Sequence, residues 1–564
     1  MIARHLLAAL SALMITACSA EDAAELPAAA RIFEGGTIYT GVADGATVEA
    51  VAIGADGRII FTGSTAGLTE AINASAAERI DLAGAFMYPG FTDAHAHLLG
   101  IGQREMMLDL AGTASLTELV TRIDAEASDL PEGAVLFGRG WIETGWPEDR
   151  MPTAADLDAV APGRIVILVR ADGHALVASS AALEAAGIGP DTPDPEGGRI
   201  ERDAEGNATG LLIDTAMSPV MQLVAEPSET DLVEAFETGA RLYASRGWTG
   251  MHSMSVDPLH AAIIERLARN GRLPIRLYNA FDPAGFDMAA GREFETPTVT
   301  NRAVKVYMDG ALGSRGALLS KPYADRPGET GLALLSQTEL EDLLVRADRE
   351  GVALAIHAIG DLANTRVLDA VEAVFAGDVA PLPDGRWRIE HAQILRPQDI
   401  TRFAELGVIA SMQPSHAIGD LFFAPDRLGL SRLEGAYAWQ SLLDAGVVIA
   451  GGSDAPVEVG SPNIEFYAAT IRKSLDGFQE EGWAPEQAVS RFDALRMLSA
   501  GPAFAAFMED DLGTIEVGKL ADFSVFDGDF MKAGEQDMLA IEPVMTIVGG
   551  EIVWQRASGP EAGE

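Results

Sequence analysis

Two histidines separated by a single residue follow an apolar segment close to position 90. Residues 85–88 lead into Pro89-Gly90 and then into the sequence Phe-Thr-Asp-Ala-His-Ala-His, which ends in His95 and His97. In a β-strand, side chains two residues apart point to the same face. The two imidazoles would therefore project together, as two ligands of one metal ion must. The alternative interpretation is two unrelated histidines near a turn.

Further polar residues stand at the ends of apolar, strand-like runs later in the chain. They are Lys305, His357, His391 and Asp454. Lys305 lies between two valines, and an ammonium group within a buried strand is costly unless it is paired, neutralised or modified. It could pair with a buried carboxylate such as Asp309. One such residue could be a satisfied polar group of the core, but all six in this order indicate a functional site.

A parallel barrel would bring these residues to one end of the molecule. Between residues 89 and 505, apolar strand-like runs alternate with helical stretches, which is typical of parallel βα units. We count eight candidate strands, at 89–95, 248–252, 275–280, 303–308, 352–357, 387–391, 407–412 and 447–452. Eight units predict a TIM barrel, whose reactive residues sit at the carboxyl ends of the strands. Residues 98–247 are too many for a loop, so we interpret them as an inserted βα subdomain that covers the site.

Short strands with turns flank the barrel on both sides, at 31–88 and 506–556. Asp56-Gly57, between two apolar runs, is a hairpin signal. We expect the two flanking segments to pair into one composite β-sandwich that encloses the barrel as an insertion, with a tail at 557–564. The predicted fold class is therefore α/β: a TIM (β/α)8 barrel, the composite sandwich and the inserted subdomain.

The first 18 residues are typical of an export signal. A basic start at Arg4 precedes a short apolar run and then small residues up to Cys18, and that run is too short for a permanent membrane span. The sequence Ile-Thr-Ala-Cys resembles a bacterial lipobox, in which the cysteine is lipidated. It predicts a periplasm-facing lipoprotein with a tether at 19–30, held at the membrane by its lipid alone. Ser19 after the cysteine favours the outer membrane, and the alternative is ordinary cleavage nearby.

The composition excludes one class of partner. The net charge is 40 − 84 = −44 and the pI is about 4.4, and such a field repels phosphate backbones, which argues against nucleic-acid binding. We interpret the acidity as a solvated surface. A chain of 564 residues is too long for one simple core, so at least two structural units are expected. A homo-oligomer is an open alternative to a monomer.

The order of the six polar residues resembles the amidohydrolase superfamily: His-x-His on strand one, Lys on four, His on five and six, and Asp on eight. The phrases at 309–316, 172–175 and 452–456 are similar to the amidohydrolase-3 branch, which includes N-substituted formamide deformylase-like proteins. The resemblance covers about 31–556. It implies two divalent metal ions, for which zinc suits the nitrogen and oxygen donors. The implied ligand set is His95, His97 and Asp454 for one ion, His357 and His391 for the other, and Lys305, carboxylated by carbon dioxide to a carbamate, between them.

The resemblance also implies an activity, the hydrolysis of a non-peptide or N-acyl amide C–N bond in a small molecule. A metal-bridging hydroxide would be the nucleophile, because metal coordination lowers the pKa of water towards ~7. Asp454 would pass its proton to the leaving group, with Lys305 and His391 in the catalytic centre.

Other activities are weighed on the same residues. An esterase, lactonase or cyclic-amide hydrolase is the alternative among enzymes that use this site. A deaminase of the superfamily usually carries a Glu three residues after the strand-five His, and Gly360 stands there. A catalytically dead envelope binding lipoprotein is the alternative of another class, and the presence of all six residues argues against it.

Four residues are candidates for contacts with a substrate: His174, Arg139, Trp141 and Arg315. His174 follows the strand-like run 165–169 and could reach the substrate carbonyl or a distal group. Arg139 and Trp141 could line the pocket, although a tryptophan beside glycine as often packs in a core. Arg315 could bind an anionic group or pair with a neighbouring carboxylate.

Three more residues are placed by position alone. Glu390 should face away from His391 in a strand and support the metal ligands from behind. His252 follows the second barrel strand and His416 the seventh, so both are expected near the mouth of the barrel.

Replacement of Cys18 by serine is expected to release the protein from membranes, because the thiol is the predicted point of lipid attachment. Membrane fractionation and the mass of the mature N-terminus would measure this. A wild-type protein that is as soluble and as unlipidated as Cys18→Ser would contradict the prediction.

Overall fold

The computed structural model describes residues 26–557, apart from residues 132, 144, 171–172, 174, 196–197, 225, 376–384 and 476–482 and the side chain of Asp129. The predicted export signal, Cys18 and most of the tether lie outside the described residues. Within the described ranges, no helix has both the length and the apolar character that a membrane span requires.

Twenty-two strands occur in the described part of the chain. In chain order they are β1 (Arg31–Tyr39), β2 (Thr47–Ile53), β3 (Ile59–Gly63), β4 (Glu78–Asp81), β5 (Phe86–Pro89), β6 (Phe91–Ala96), β7 (Leu108–Asp109), β8 (Leu136–Trp141), β9 (Val166–Arg170), β10 (Ala175–Ala178), β11 (Gly198–Arg202), β12 (Ala208–Asp214), β13 (Trp248–Val256), β14 (Arg276–Phe281), β15 (Val299–Tyr307), β16 (Ala353–Ala358), β17 (Arg388–His391), β18 (Ile409–Met412), β19 (Ile449–Gly451), β20 (Phe523–Phe526), β21 (Pro543–Val548) and β22 (Glu551–Gln555).

Nineteen α-helices accompany these strands in the same described ranges. In chain order they are α1 (Thr65–Ala71), α2 (Leu98–Met106), α3 (Leu116–Asp129), α4 (Ala154–Val160), α5 (Ser180–Ala185), α6 (Ser218–Met221), α7 (Glu229–Ser245), α8 (Ala261–Arg269), α9 (Phe286–Gly291), α10 (Gln337–Glu350), α11 (Asp361–Phe375), α12 (Ile400–Glu405), α13 (Pro414–Asp420), α14 (Ala424–Leu428), α15 (Trp439–Asp444), α16 (Pro462–Ile471), α17 (Arg491–Met497), α18 (Ala500–Ala505) and α19 (Glu535–Leu539).

Eight parallel strands form a nearly closed barrel, in the hydrogen-bonded order β6, β13, β14, β15, β16, β17, β18, β19. Each of the eight predicted strands is present, so the predicted TIM barrel is confirmed. The apolar runs that predicted these strands are buried on both faces, as the strands of a parallel sheet must be.

Local sequence signals set the start and the end of the helix that precedes β16. Helix α10 shows this clearly, because Ser336 and Glu339 form a capping box at its start. It ends at Gly351, whose positive φ of 68° suits glycine. The apolar face of this helix buries Leu340 and Leu344, and the chain then enters β16 and reaches His357.

The two ends of the chain share one sheet of eight strands. Its order is β22-β21-β20-β5-β1-β2-β3, with β4 paired to β1, and β20 of the C-terminal segment runs antiparallel to β5. Strand β5 ends at Pro89 and β6 begins at Phe91, so this sheet leads directly into the first barrel strand. The aromatic rings of Tyr88, Phe91 and Phe526 pack together at this junction.

The insert between β6 and β13 contains a separate sheet of six strands, in the order β11-β12-β10-β9-β8-β7. Apolar side chains cover both faces of this sheet and form two clusters of buried residues. The predicted βα insert after the first barrel strand is therefore present, with its own core.

Candidate active site

Four imidazoles meet at the carboxyl end of the barrel. The ring centre of His95 lies 5.6 Å from that of His97 and 4.7 Å from that of His391, and His391 is 4.5 Å from His357. His95 and His391 are buried, at 0% and 3% exposure. Burial lowers the pKa of both well below the ordinary value, so each is a neutral imidazole that has a nitrogen lone pair to offer.

The hydrogen bonds of these rings select which nitrogen faces inward. Nδ1 of His95 is 2.5 Å from Glu390 Oε2, that of His97 is 3.1 Å from the carbonyl oxygen of Met254, and that of His391 is 2.8 Å from Gln413 Oε1. The partners of His95 and His391 are acceptors, so the ring proton of each resides on Nδ1 and Nε2 is left with its lone pair. Both nitrogens of His97 face an acceptor, and its Nε2 is the one directed at Asp454. Three rings thus present Nε2 as a potential ligand.

Asp454 is the carboxylate of this cluster. Its Oδ1 lies 3.1 Å from His97 Nε2 and 3.4 Å from His95 Nε2. Because these three groups have donor atoms within 4.8 Å of one another, they could hold one metal ion. The backbone N–H of Asp454 donates to the carbonyl of His95 at 2.6 Å, and this bond couples the two residues across the edge of the barrel.

Lys305 lies beside the histidines with only 1% of its surface exposed. Its Nζ is 3.3 Å from His95 Nε2. Burial lowers the pKa of the ammonium group to about 8, which makes the neutral amine accessible near physiological pH. Asp309, the partner considered from the sequence, instead accepts the backbone N–H groups of Leu318, Ile359 and Gly360, so the alternative of a Lys305–Asp309 pair is wrong.

His357 completes the group of predicted residues. Its Nε2 is buried without a hydrogen-bond partner, 3.6 Å from Asp309 Oδ1. Burial lowers the pKa of His357 to about 3. All six residues predicted from the sequence are therefore brought together, from the carboxyl ends of four barrel strands, β6, β15, β16 and β17, and from the turn after β19.

Glu390 supports the cluster from inside the barrel. It is fully buried, and its two oxygens contact His95 Nδ1 at 2.5 Å and Arg388 Nε at 2.6 Å. Arg388 and Glu390 are two residues apart on β17 and share the inward face, whereas His391 reaches the cavity because the chain turns there with a φ of 74°. Glu390 thus contacts a metal-ligand candidate from the side away from the cavity. That candidate is His95, and not His391, which follows Glu390 in the sequence.

A cavity of about 370 Å³ opens in front of the six residues. Leu312, Phe423 and Val457 give it apolar walls, and His416 and Glu458 contribute polar ones. His416 therefore lies near the mouth, as its position in the sequence indicates. The functional residues that sequence reasoning missed are Gln413 and Gln393, because an amide on a neighbouring strand end carries no metal-binding signature of its own.

The insert residues proposed for substrate contact have mixed outcomes. Trp141 is fully buried, donates from Nε1 to the carbonyl of Leu168 at 2.9 Å and packs against Trp146. It is a core residue of the insert, so its predicted contact with substrate is wrong. Arg139 is exposed beside Gly173 and its role stays a prediction. His174 lies outside the described residues.

Two further predictions are corrected by the structure. Arg315 is held by Asp325, with Nη2 and Oδ2 2.7 Å apart, and hydrogen bonds from Arg315 and Arg427 lower the pKa of Asp325 to about 2. Arg315 therefore pairs with a neighbouring carboxylate, and its predicted contact with a substrate is wrong. His252 lies inside the barrel, where Nδ1 is 2.7 Å from Arg388 Nη1, because β13 continues to Val256 beyond the predicted end of the strand.

Known proteins with similar sequences indicate the family of this chain. Residues 78–554 match the model of the amidohydrolase family, and the chain belongs to that family. The putative amidohydrolase YtcJ of Bacillus subtilis is 35% identical over 535 residues, which cover 93% of this chain and 99% of that protein. The N-substituted formamide deformylase of Arthrobacter pascens is 31% identical over 520 residues, 89% of this chain and 94% of that protein.

The fold is also shared with a solved structure. An uncharacterized metal-dependent hydrolase from Pyrococcus furiosus matches with a TM-score of 0.73 and 29% identity, and the match covers 89% of this chain and 100% of that chain. The protein is therefore a metal-dependent hydrolase of the amidohydrolase family.

Replacement of Glu390 by glutamine is expected to weaken the binding of a divalent metal ion about ten- to a hundredfold, the usual cost of removing a group that orients a metal-bound histidine. The change keeps the size of the side chain but removes the charge that faces His95 Nδ1. Competition with a chromophoric chelator would measure the affinity. The control is Glu405→Gln on the exposed end of α12, and equal affinities of the two variants would contradict the prediction.

Proposed function

We propose that the protein hydrolyses a non-peptide or N-acyl amide bond of a small molecule in a site that holds two divalent metal ions, most readily zinc. The observation that carries the proposal is the convergence of three inward-facing Nε2 atoms with Asp454, His357 and Lys305 at the floor of one cavity. Neutral imidazoles and a carboxylate are the donors that zinc prefers. The residues present therefore fit the metals that the family uses.

The ligand roles follow the positions of the donors. His95, His97 and Asp454 would hold one ion, and His357 and His391 the second. Lys305, as a carbamate formed with carbon dioxide, would lie between the two. The buried amine, 3.3 Å from His95 Nε2, supports this role because carboxylation turns a costly cation into an anionic oxygen donor. When bound, such ions supply Lewis acidity and lower the pKa of water.

Asp454 would carry the proton. It accepts a proton as water adds to the carbonyl carbon, and it returns that proton to the nitrogen that leaves. Its carboxylate is only 11% exposed and borders the cavity, so it can contact both the metal-ligand residues and a bound substrate. A cavity of about 370 Å³ with mostly apolar walls suits a small organic molecule.

An amide is favoured over an ester as the bond that is cleaved, because a relative that covers 89% of this chain is named an N-substituted formamide deformylase. A deamination centre with an acid at position 360 has less support. A Cβ added at Gly360 would lie 2.1 Å from the carbonyl oxygen of Leu318, so no side chain fits there.

The location of the enzyme is also a proposal. The N-terminal sequence up to Cys18 supports export and lipid anchoring in the envelope, where the enzyme would act on molecules that enter the periplasm.

The function is tested on purified enzyme with a panel of para-nitroanilide amides and para-nitrophenyl esters. Chelation should abolish hydrolysis, and zinc, cobalt or manganese should restore part of it. Asp454→Asn should reduce amide turnover about a hundredfold or more, the scale of a lost acid–base group. The matched control is Asp342→Asn on the exposed face of α10, and near-normal turnover by a folded Asp454→Asn would remove this residue from the mechanism.

Carboxylation of Lys305 has its own test. We expect about two metal ions per chain and a carbamate signal in carbon-13 NMR of enzyme prepared with labelled bicarbonate. Lys305→Ala should lose metal and activity, short carboxylic acids should restore part of both, and Lys321→Ala, an exposed lysine, should behave like the wild type. One metal ion per chain in fully active enzyme with an unmodified Lys305 would overturn the two-metal site.

A further inference from the structure

His416 stands in the wall of the cavity, just beyond the seventh barrel strand. It belongs to helix α13 and is 7% exposed. Its Nε2 lies 3.6 Å from Asp454 Oδ2 and 3.9 Å from Glu458 Oε1, and its ring stacks on that of His391 at 5.8 Å. Nε2 of His416 therefore lies beside Asp454 in the lining of the cavity.

The other ring nitrogen has a partner of a different kind from those of the metal-ligand candidates. Nδ1 of His416 is 3.0 Å from Nε2 of Gln393, which is 4% exposed. An amide nitrogen can only donate, so Nδ1 accepts, and the proton of the neutral ring resides on Nε2. His95, His97 and His391 show the opposite arrangement, with acceptors at Nδ1.

This difference in hydrogen bonding distinguishes a metal ligand from a hydrogen-bond donor. Distance alone does not distinguish the two roles. His416, His391 and Asp454 are close enough to hold a metal ion together. However, an Nε2 that bears a proton cannot be a ligand, whereas a hydrogen-bond donor next to the carboxylates of Asp454 and Glu458 is electrostatically favourable. The surroundings of His416 are those of a donor.

We propose that the Nε2–H of His416 donates a hydrogen bond to the carbonyl oxygen of the substrate, and that Gln393 keeps the imidazole in the required tautomer. This inference rests on the proposed amide hydrolysis.

In that reaction a bond forms between the oxygen of water and the carbonyl carbon, and the carbonyl π electrons move onto the oxygen. The C–N bond then breaks as those electrons return, and the proton taken up by Asp454 goes to the nitrogen. His416 keeps its own proton throughout and stabilises the charge on the oxygen, which is where a fixed donor lowers a barrier most.

The test compares His416→Phe, which has no donor, with His416→Gln, which has an amide N–H. Removal of one such donor is expected to lower kcat about a hundred- to a thousandfold with little change in KM. His416→Gln should retain more turnover than His416→Phe, and both should keep the wild-type zinc content. His260→Phe is the matched control, because His260 contacts only the Phe236 ring among its described ring contacts.

A measurement that does not depend on turnover keeps the proposal testable if no amide of the panel is cleaved. Long-range proton–nitrogen NMR of zinc-loaded enzyme with nitrogen-15 histidine should show, among the signals of the tautomer protonated at Nε2, one that is absent in His416→Phe. Gln393→Met should shift that signal and lower kcat while the zinc content stays unchanged.

Two results would overturn the proposal. One is a zinc content of His416→Phe that is lower than that of His260→Phe by about one ion per chain. The other is a His416 signal from an unprotonated Nε2 in the zinc-loaded enzyme. An inactive wild type that shows the expected tautomer and zinc content would instead count against the amide hydrolysis alone.

Discussion

The buried contact between Glu390 and His95 is the constraint on which the rest of the site depends. Both side chains are fully excluded from solvent, and an isolated carboxylate in such a place would cost several kcal/mol. The guanidinium of Arg388 on one side and the Nδ1 proton of His95 on the other stabilise the Glu390 carboxylate. Because β17 and β6 are not neighbours in the barrel, this contact crosses the interior, and it exists only when the barrel has formed.

A second set of polar contacts secures the seam of the barrel. Strands β6 and β19 are the two ends of the hydrogen-bonded order, and side chains connect them there. Asp93 accepts the backbone N–H of Ser453 at 2.9 Å and its hydroxyl at 2.6 Å, and Tyr243 donates to the same carboxylate at 3.0 Å. The next residue after Ser453 is Asp454, so the contacts that close the barrel also fix the position of the Asp454 carboxylate.

The separation between chemistry and specificity follows from this architecture. The six metal-ligand candidates stand on strand ends and in one turn that are held by the barrel itself. The walls that would select a substrate come from the connecting segments, with Leu312 after β15, Phe423 between α13 and α14, and Val457 after β19. The same residues at the strand ends can therefore be combined with different substrate pockets, because loops change without disturbing the strands.

Local sequence patterns were sufficient to predict the barrel strands and the six residues at the carboxyl end of the barrel. Apolar runs bounded by turns repeat eight times, and a His, Lys or Asp inside such a run is conspicuous because burial of polar groups is costly. Local pattern was sufficient for these predictions, since each strand end is a property of a few adjacent residues.

Which residues outside these apolar runs line the site depends on tertiary packing. The environment of Trp141 was ambiguous in sequence, because a core and a pocket both favour an aromatic ring, and only the packing of the insert around it places it in a core. The end of β13, and with it the depth of His252, depends on pairing with β14. The protonated nitrogen of each histidine depends on a partner that is distant in sequence, such as Glu390, 295 residues from His95. Such contacts leave no trace in local periodicity, because they arise only when the barrel closes and brings separate strands within hydrogen-bonding distance.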